Sequence, residues 1–358
     1  MKIAIDGRLW HEGGVGRYIR NLVYYLQKQD KQNSYTLYFL DKKGQGFSKS
    51  TNFDFEITKS KWHSFSEQWQ FCGELNKQNF DLVHFPYFSH PIFYNGPYVI
   101  TIHDLTILNF TTGKASTKNY LTYLIKKLGY SMVLNHGVKK AEKIIVPSLF
   151  VKDDLNKHFG AKDKTVVTYE GVGYEMKQAK LKPVALSQSP FYLYVGNFYP
   201  HKNVEALLRA WANLKNSQAN LLLVGPNDYF ANRIKRLVAK LNLETKVKFI
   251  HQVDDGQLRF LYSKCKALIL PSLFEGFGLP VVEAAYHNCP LILSDIAVFK
   301  EIAPPETIFF NPNNETDLTN KINLADREKL NQTSSDYFAK FSFEKLTQLT
   351  LSIYQDCL

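Results

Sequence analysis

Six short apolar runs alternate with segments of helical period over the first half of the chain: Ile3 to Ile5, Tyr35 to Leu40, Asp81 to Phe85, Tyr98 to His103, Lys143 to Val146 and Val166 to Tyr169. Alternation of this kind constrains the fold strongly. Runs with little polar interruption suit strands covered on both faces, and the long connections between them suit crossover helices, so a parallel sheet is expected. A second series follows at Phe191 to Val195, Asn220 to Val224, Val247 to Ile250, Ala267 to Leu270, Pro290 to Leu293 and Ile308 to Phe310. Between the two, Met176 to Pro190 carries lysine, serine and proline without a sustained period and reads as a linker. The pattern predicts an α/β chain of two doubly wound, Rossmann-like domains, residues 1–180 and 190–340. Residues 341–358 form an amphipathic closing helix with Phe343, Leu346, Leu349 and Ile353 on its apolar side; whether it packs back on the N-terminal domain stays open. Ligands of such sheets bind beyond the carboxyl ends of the strands, so two sheets facing each other are expected to make an interdomain cleft.

Size fits this reading, since 358 residues at 45% hydrophobic content suffice for two domains of ordinary length. No apolar run approaches the ~20 residues that span a bilayer, and the chain is expected to be cytoplasmic. Cys72, Cys265, Cys289 and Cys357 lack metal-like spacing and read as reduced thiols filling small apolar spaces. The net charge of +11 is uneven: residues 1 to 182 hold 26 Lys and Arg against 16 Asp and Glu, a net of +10, leaving 18 against 17 in the remainder. Such an excess suits an anionic membrane face or a phosphorylated acceptor, or serves solubility alone. Nucleic acid is not expected, because the basic residues form no base-reading or stacking module.

The run Pro271 to Glu283, PSLFEGFGLPVVE, sets two carboxylates around a glycine-rich turn that opens a helix. Gly276 and Gly278 allow close backbone approach, and amides at a helix start favour an anion such as phosphate. Pro280 suits a first helical turn. With Glu275 in the loop and Glu283 read in the first turn, the arrangement suits a sugar attached to a nucleotide diphosphate.

Four further loops follow strands. Gly7 to Tyr18 carries Gly13, Gly14 and Gly16 before a helix expected to start near Gly16, with Arg17 capping or solvating it; the loop is either a phosphate or sugar contact or a plain turn. His103 and Asp104 end the run Val99 to Ile102, where a polar pair hydrogen-bonds a substrate hydroxyl or where the histidine bonds only backbone. Val195 to Asn203 places Lys202 at a helix entrance, able to neutralise a diphosphate without a metal. After the Val247 run, backbone groups of Gln252 and Val253 are candidates for reading a nucleotide base, with Asp254 or Asp255 as helix cap.

With these motifs in this order (GGVGRY, ITIHDL, AEKIIVPSLFVKDDL, VGNFYPHKN, HQVDDGQLRFLYSKCKALILPS, EGFGLPVVEA and FSFEKL) the chain resembles the retaining glycosyltransferases of family 4 over nearly its whole length. That resemblance implies the GT-B arrangement of two facing Rossmann-like domains. It also implies that Glu275 contacts the donor sugar, Glu283 the ribose, and the amides of Gly276, Phe277, Gly278 and Leu279 the sugar and diphosphate. Lys202 then binds the diphosphate, and His103 lies near the reacting carbon as a catalytic residue with Glu275 and Lys202. Gly13, Gly14 and Gly16 line the donor phosphate, with Arg17 and Asp104 on the acceptor side. Asn197 departs from the pattern, since many members carry arginine directly after the glycine of the VG motif, and some carry it at the position of His201.

The implied activity is metal-independent, cofactor-free transfer of a hexose with retention, from GDP-mannose or next a UDP-hexose, to a hydroxyl of a glycan or lipid-linked acceptor in cell-surface polysaccharide or glycolipid synthesis. A nucleotide-sugar epimerase on the same architecture and a non-catalytic sugar-nucleotide-binding subunit are the alternatives. No Asp-x-Asp motif ends a strand, Asp54-Phe55-Glu56 being the nearest match in a polar stretch. Residues 114–143 interleave lysines with Tyr120, Leu121, Tyr123, Leu124, Leu128 and Tyr130, which suits either an anionic membrane face or packing on the domain itself; peripheral association with the inner face of the membrane is expected.

Overall fold

The computed structural model describes residues 1–40, 47, 50–110, 120–185, 189–214, 217–328, 337 and 340–357. The chain divides into two compact units: Met1–Leu105 with Asn119–Gly173 and Lys340–Leu358, and Thr106–Lys118 with Tyr174–Ala339.

In the first unit, β1 (Lys2–Asp6), β2 (Ser34–Phe39), β3 (Phe53–Ile57), β4 (Leu82–Phe85), β5 (Tyr98–Thr101), β6 (Lys143–Val146) and β7 (Thr165–Val167) form one sheet in the order β3-β2-β1-β4-β5-β6-β7. Every pairing is parallel, with Ile3 beside both Tyr35 and Leu82, and Ile144 beside Thr165. Ile3, Ala4, Ile5, Leu82, Val83, Val99, Ile100, Ile144 and Ile145 are fully buried. Helices on both faces therefore leave no polar side to the central strands. The edge strand β3 escaped the sequence reading because four of its five residues are exposed and its Asp54-Phe55-Glu56 looks polar in isolation. Helix Phe343–Gln355 packs on helix Gly13–Gln29 and buries Phe343, Leu346, Ile353 and Tyr354.

The second unit repeats the plan with β8 (Phe191–Val195), β9 (Asn220–Val224), β10 (Val247–Ile250), β11 (Leu268–Leu270), β12 (Leu291–Ser294) and β13 (Ile308–Phe310). Their order is β10-β9-β8-β11-β12-β13, again all parallel. The direction of winding reverses between β1 and β4 in one sheet and between β8 and β11 in the other. Loops leaving those strands diverge, and the crevice between them is where an open sheet takes its ligand.

The presumed linker begins differently from expectation. Tyr174–Gln178 is helical and packs on helix Asp255–Lys264, where Arg259 donates to the Ala179 carbonyl at 2.7 Å. Lys182 pairs with Asp254 at 2.6 Å, so the described part of this segment is strapped to the second unit. Two of the scattered cysteines also meet: the Sγ atoms of Cys265 and Cys289, both buried free thiols, lie 3.0 Å apart.

Candidate active site

The loop after β8 and the loop after β11 leave neighbouring strands at the reversal of the second sheet and are tied together. Leu273 N–H donates to the His201 carbonyl at 2.7 Å. Pro200–Lys202 makes a short 3-10 turn, and Asn203, in the left-handed region at φ 56°, donates from Nδ2 to the Pro312 carbonyl before helix Val204–Ala212 starts. That brace points Lys202 at the other loop. Its Nζ lies 2.6 Å from Glu275 Oε1 and 2.7 Å from Oε2, and the fully buried Ser272 donates to Oε1 at 2.8 Å. Lys202 and Glu275 are 18% and 13% exposed, so the pair is partly shielded yet reachable. Below them Tyr194 donates to the Asn197 carbonyl, and burial, helped by the Glu275 charge, raises its pKa well above the ordinary phenol value. Asn197 Oδ1 accepts from Tyr199 N–H at 3.3 Å, so its side chain braces the loop.

Gly276 and Phe277 are buried, and Gly278 caps helix Leu279–Tyr286 at φ 109°. A side chain is disfavoured there twice over, by the backbone region and because a Cβ would lie 2.8 Å from the Phe299 ring. Pro280 sits in the first turn, as its sequence position suggests. Glu283 is one turn further in than the sequence reading put it. It is 3% exposed and accepts from Tyr262 OH at 3.1 Å, an anchor supplied by helix Asp255–Lys264. That helix opens on a reciprocal capping box between Asp254 and Gln257. Gln252 just before it is exposed at φ 57°, and Val253 is half-buried. Thus Asn197, Lys202, Glu275 and the 276–279 turn share the crevice, while Glu283 lies at the helix behind it.

In the first unit, helix Gly13–Gln29 starts at Gly13, earlier than expected, with Gly13 and Gly14 exposed and Arg17 half-buried. Gly16 is buried under its own loop: a Cβ would stand 2.6 Å from the Trp10 carbonyl oxygen. The loop's root is an ionic cluster that the sequence reading missed. Arg8 Nη2 bonds Asp6 Oδ2 at 2.7 Å and Glu67 Oε1 at 2.6 Å, both side chains being almost fully buried, and the guanidinium lies 4.0 Å over the Phe71 ring. Burial pushes the Glu67 carboxyl up, with Arg8 opposing. For Arg8, burial acts downward but Asp6 and Glu67 outweigh it, so the cation is secure. Asp6-Gly7-Arg8 was a readable local signal; Glu67 offered none at that distance in sequence.

His103 lies just beyond β5, half-buried, with Asp104 exposed beside it. Its Nε2 is 2.9 Å from the Pro86 carbonyl and its Nδ1 is 3.3 Å from Glu170 Oε1. The backbone-bonded reading is therefore part of the picture, and the Glu170 contact is new. Burial alone would lower the His103 pKa, but the Glu170 bond and charge outweigh it and hold it above the ordinary value. Beneath lies a polar chain of Tyr354 OH, His84, Thr101 Oγ1 and Tyr18 OH at successive distances of 2.6, 2.8 and 3.2 Å. Among the described residues no group of three His, Cys, Asp or Glu side chains comes together as a metal site.

Comparison with known proteins meets this geometry from both ends of the chain. Residues 12–175 match the family described as Glycosyltransferase Family 4, and residues 176–338 match Glycosyl transferases group 1. The O-antigen chain mannosyltransferase RfbU of Salmonella typhimurium is 30% identical over 253 residues, 70% of this chain and 67% of that protein. The O-antigen chain mannosyltransferase B of Escherichia coli is 26% identical, over 72% of this chain and 70% of that one. Sucrose-phosphate synthase from Thermosynechococcus elongatus has a similar fold, with a TM-score of 0.78 and 21% identity, over 99% of this chain and 98% of the other. Matching family models over almost all of its length, and carrying two parallel Rossmann-like sheets, the chain belongs to the GT-B glycosyltransferases of the group 1 and family 4 type.

Proposed function

We propose that the protein moves a hexose, with retention of anomeric configuration and without a metal, from a nucleotide-diphosphate sugar to a hydroxyl of a growing surface glycan or its lipid-linked precursor. The observation that carries this reading is the Lys202–Glu275–Ser272 cluster at the reversal of the second sheet. Lys202 meets the diphosphate with a compact charge, assisted by amides at the start of helix Leu279–Tyr286. Glu275 orients the sugar hydroxyls, and Glu283, fixed by Tyr262, takes the ribose. Both carboxylate oxygens of Glu275 are engaged, Oε1 twice, which blunts them as nucleophiles. This favours a route in which the diphosphate leaves through an oxocarbenium-like transition state and its oxygen takes the proton of the hydroxyl entering on the same face.

Likeness to O-antigen mannosyltransferases supports GDP-mannose as donor, with a UDP-hexose next. Membrane-surface association of the first unit has support from helix Tyr120–Lys140, where Leu128 and Met132, one turn apart, are 66% and 67% exposed beside Lys127. Lys114 and Lys118 of the basic stretch, and the side chains of residues 120–126, lie outside the described residues. No described helix is long and apolar enough to cross a membrane.

The test is a panel of nucleotide sugars against mannose-terminated and lipid-linked acceptors, with release of nucleoside diphosphate followed with and without chelator. Release from GDP-mannose that requires an acceptor and survives chelation is the expected result. Acceptor-independent interconversion of the donor sugar would replace this reading with an epimerase.

A further inference from the structure

Glu170, which the motifs did not single out, stands where it decides the charge of His103. The imidazole faces two groups that only accept hydrogen bonds: the Pro86 carbonyl at 2.9 Å from Nε2 and the Glu170 carboxylate at 3.3 Å from Nδ1. A neutral imidazole has one N–H to offer and an imidazolium has two. The proton between ring and carboxyl belongs on the ring, because imidazole is the stronger base of the two in their ordinary states. We propose that Glu170 is a positioning residue that holds His103 as an imidazolium, so that this histidine serves transfer as a fixed cation and not as a proton acceptor. The inference rests on the transferase reading for its catalytic meaning.

The neighbouring side chains fit this charge. From helix Gly13–Gln29, the Tyr18 ring meets His103 edge to face at 4.9 Å. From β4, His84 is a neighbouring imidazole whose pKa burial, aided by the His103 charge, pushes down to about 3, so it adds no competing cation. Asp104, next in sequence, adds negative potential, and Glu170 itself is only 5% exposed at its side chain. Burial opposes the charge on His103 but is outweighed, first by the Glu170 hydrogen bond. With both nitrogens committed, His103 has no lone pair to take the proton of an entering hydroxyl. That proton is left to the departing diphosphate oxygen, consistent with Glu275 being blunted as a nucleophile.

Ring-15N histidine NMR of the full chain across pH, with His103→Gln used only to assign the signal, reads the charge directly. The expected result is that His103 keeps both ring protons above the ordinary imidazole pKa. In Glu170→Gln its titration should fall, the upper limb of the kcat/KM profile should fall with it, and Glu170→Asp should restore part of both. Each unit of fall leaves about tenfold less imidazolium at pH values above the original pKa. A neutral His103 ring at pH 7 in the unaltered protein would overturn the inference, and that measurement needs no variant to fold. A titration that moves while the pH profile stays would overturn its catalytic part. If the unaltered protein transfers no sugar, the functional reading fails, while the ring titration still decides the charge of His103.

Discussion

Lys202 and Glu275 neutralise each other across 2.6 Å, and this makes opposite predictions for the two residues. Lys202→Ala removes the cation proposed to meet the diphosphate and leaves Glu275 without its counter-charge. Transfer should fall by about 100- to 1,000-fold, and calorimetry should show weaker nucleoside diphosphate binding. Glu275→Gln keeps the shape and the Ser272 contact but releases Lys202 from its carboxylate. Nucleoside diphosphate should then bind at least as tightly as before, while transfer drops by a comparable factor. Equal weakening of binding by both substitutions would refute the assignment of Lys202 to the phosphate. Both residues were legible in sequence because each sits a few positions past an apolar run, at a loop that opens a helix. Ser272, Tyr262 and Glu170, which hold Glu275, Glu283 and His103, were not. Ser272 stood inside the motif without a distinctive neighbour, and the other two act across strands or helices that only folding brings together.

The elements around the site are shaped by local chemistry that can be tested without substrate. Gly278 starts helix Leu279–Tyr286 in the left-handed half of backbone space, tight against Phe299. Gly278→Ala should cost about 1–3 kcal/mol in urea unfolding, and should loosen the Gly276–Leu279 amides proposed to meet the donor. Alanine tolerated without loss would mean that the turn is freely remodelled. The interior strands declared themselves through apolar runs with little polar interruption, their ends legible to within a residue or two. Strand β3 did not, because an edge strand with one buried residue lacks the signal on which the others depend. Tyr174–Gln178 was hidden for the complementary reason: five residues are too few to show a period, and the helix persists by packing on Asp255–Lys264.

At the scale of the molecule, buried imidazoles set the response to acid. His84 and His90 are held neutral by burial, with pKa values pushed down to about 3 and about 4. In the unfolded chain both protonate near pH 6.5, so the unfolded state binds more protons and stability falls as pH drops from there toward pH 4. The expected slope is about 1.4 kcal/mol per pH unit for each, read from urea midpoints. The His103–Glu170 pair has the opposite sign: its contribution is fully present below pH 6.5 and is lost only as pH rises through the raised His103 pKa. A flat profile between pH 7 and pH 4.5 would contradict the burial of both histidines.

Helix Phe343–Gln355 seats Tyr354 against His84 inside a sheet whose strands all lie before residue 168. Residues 343–355 follow the second unit in the chain, so during synthesis the first sheet lacks this cap until the second unit has been made. A released chain ending at residue 339 should yield a protease-resistant second unit beside a first unit more open to cleavage than in the full chain, because the segment that seats Tyr354 against His84 is missing.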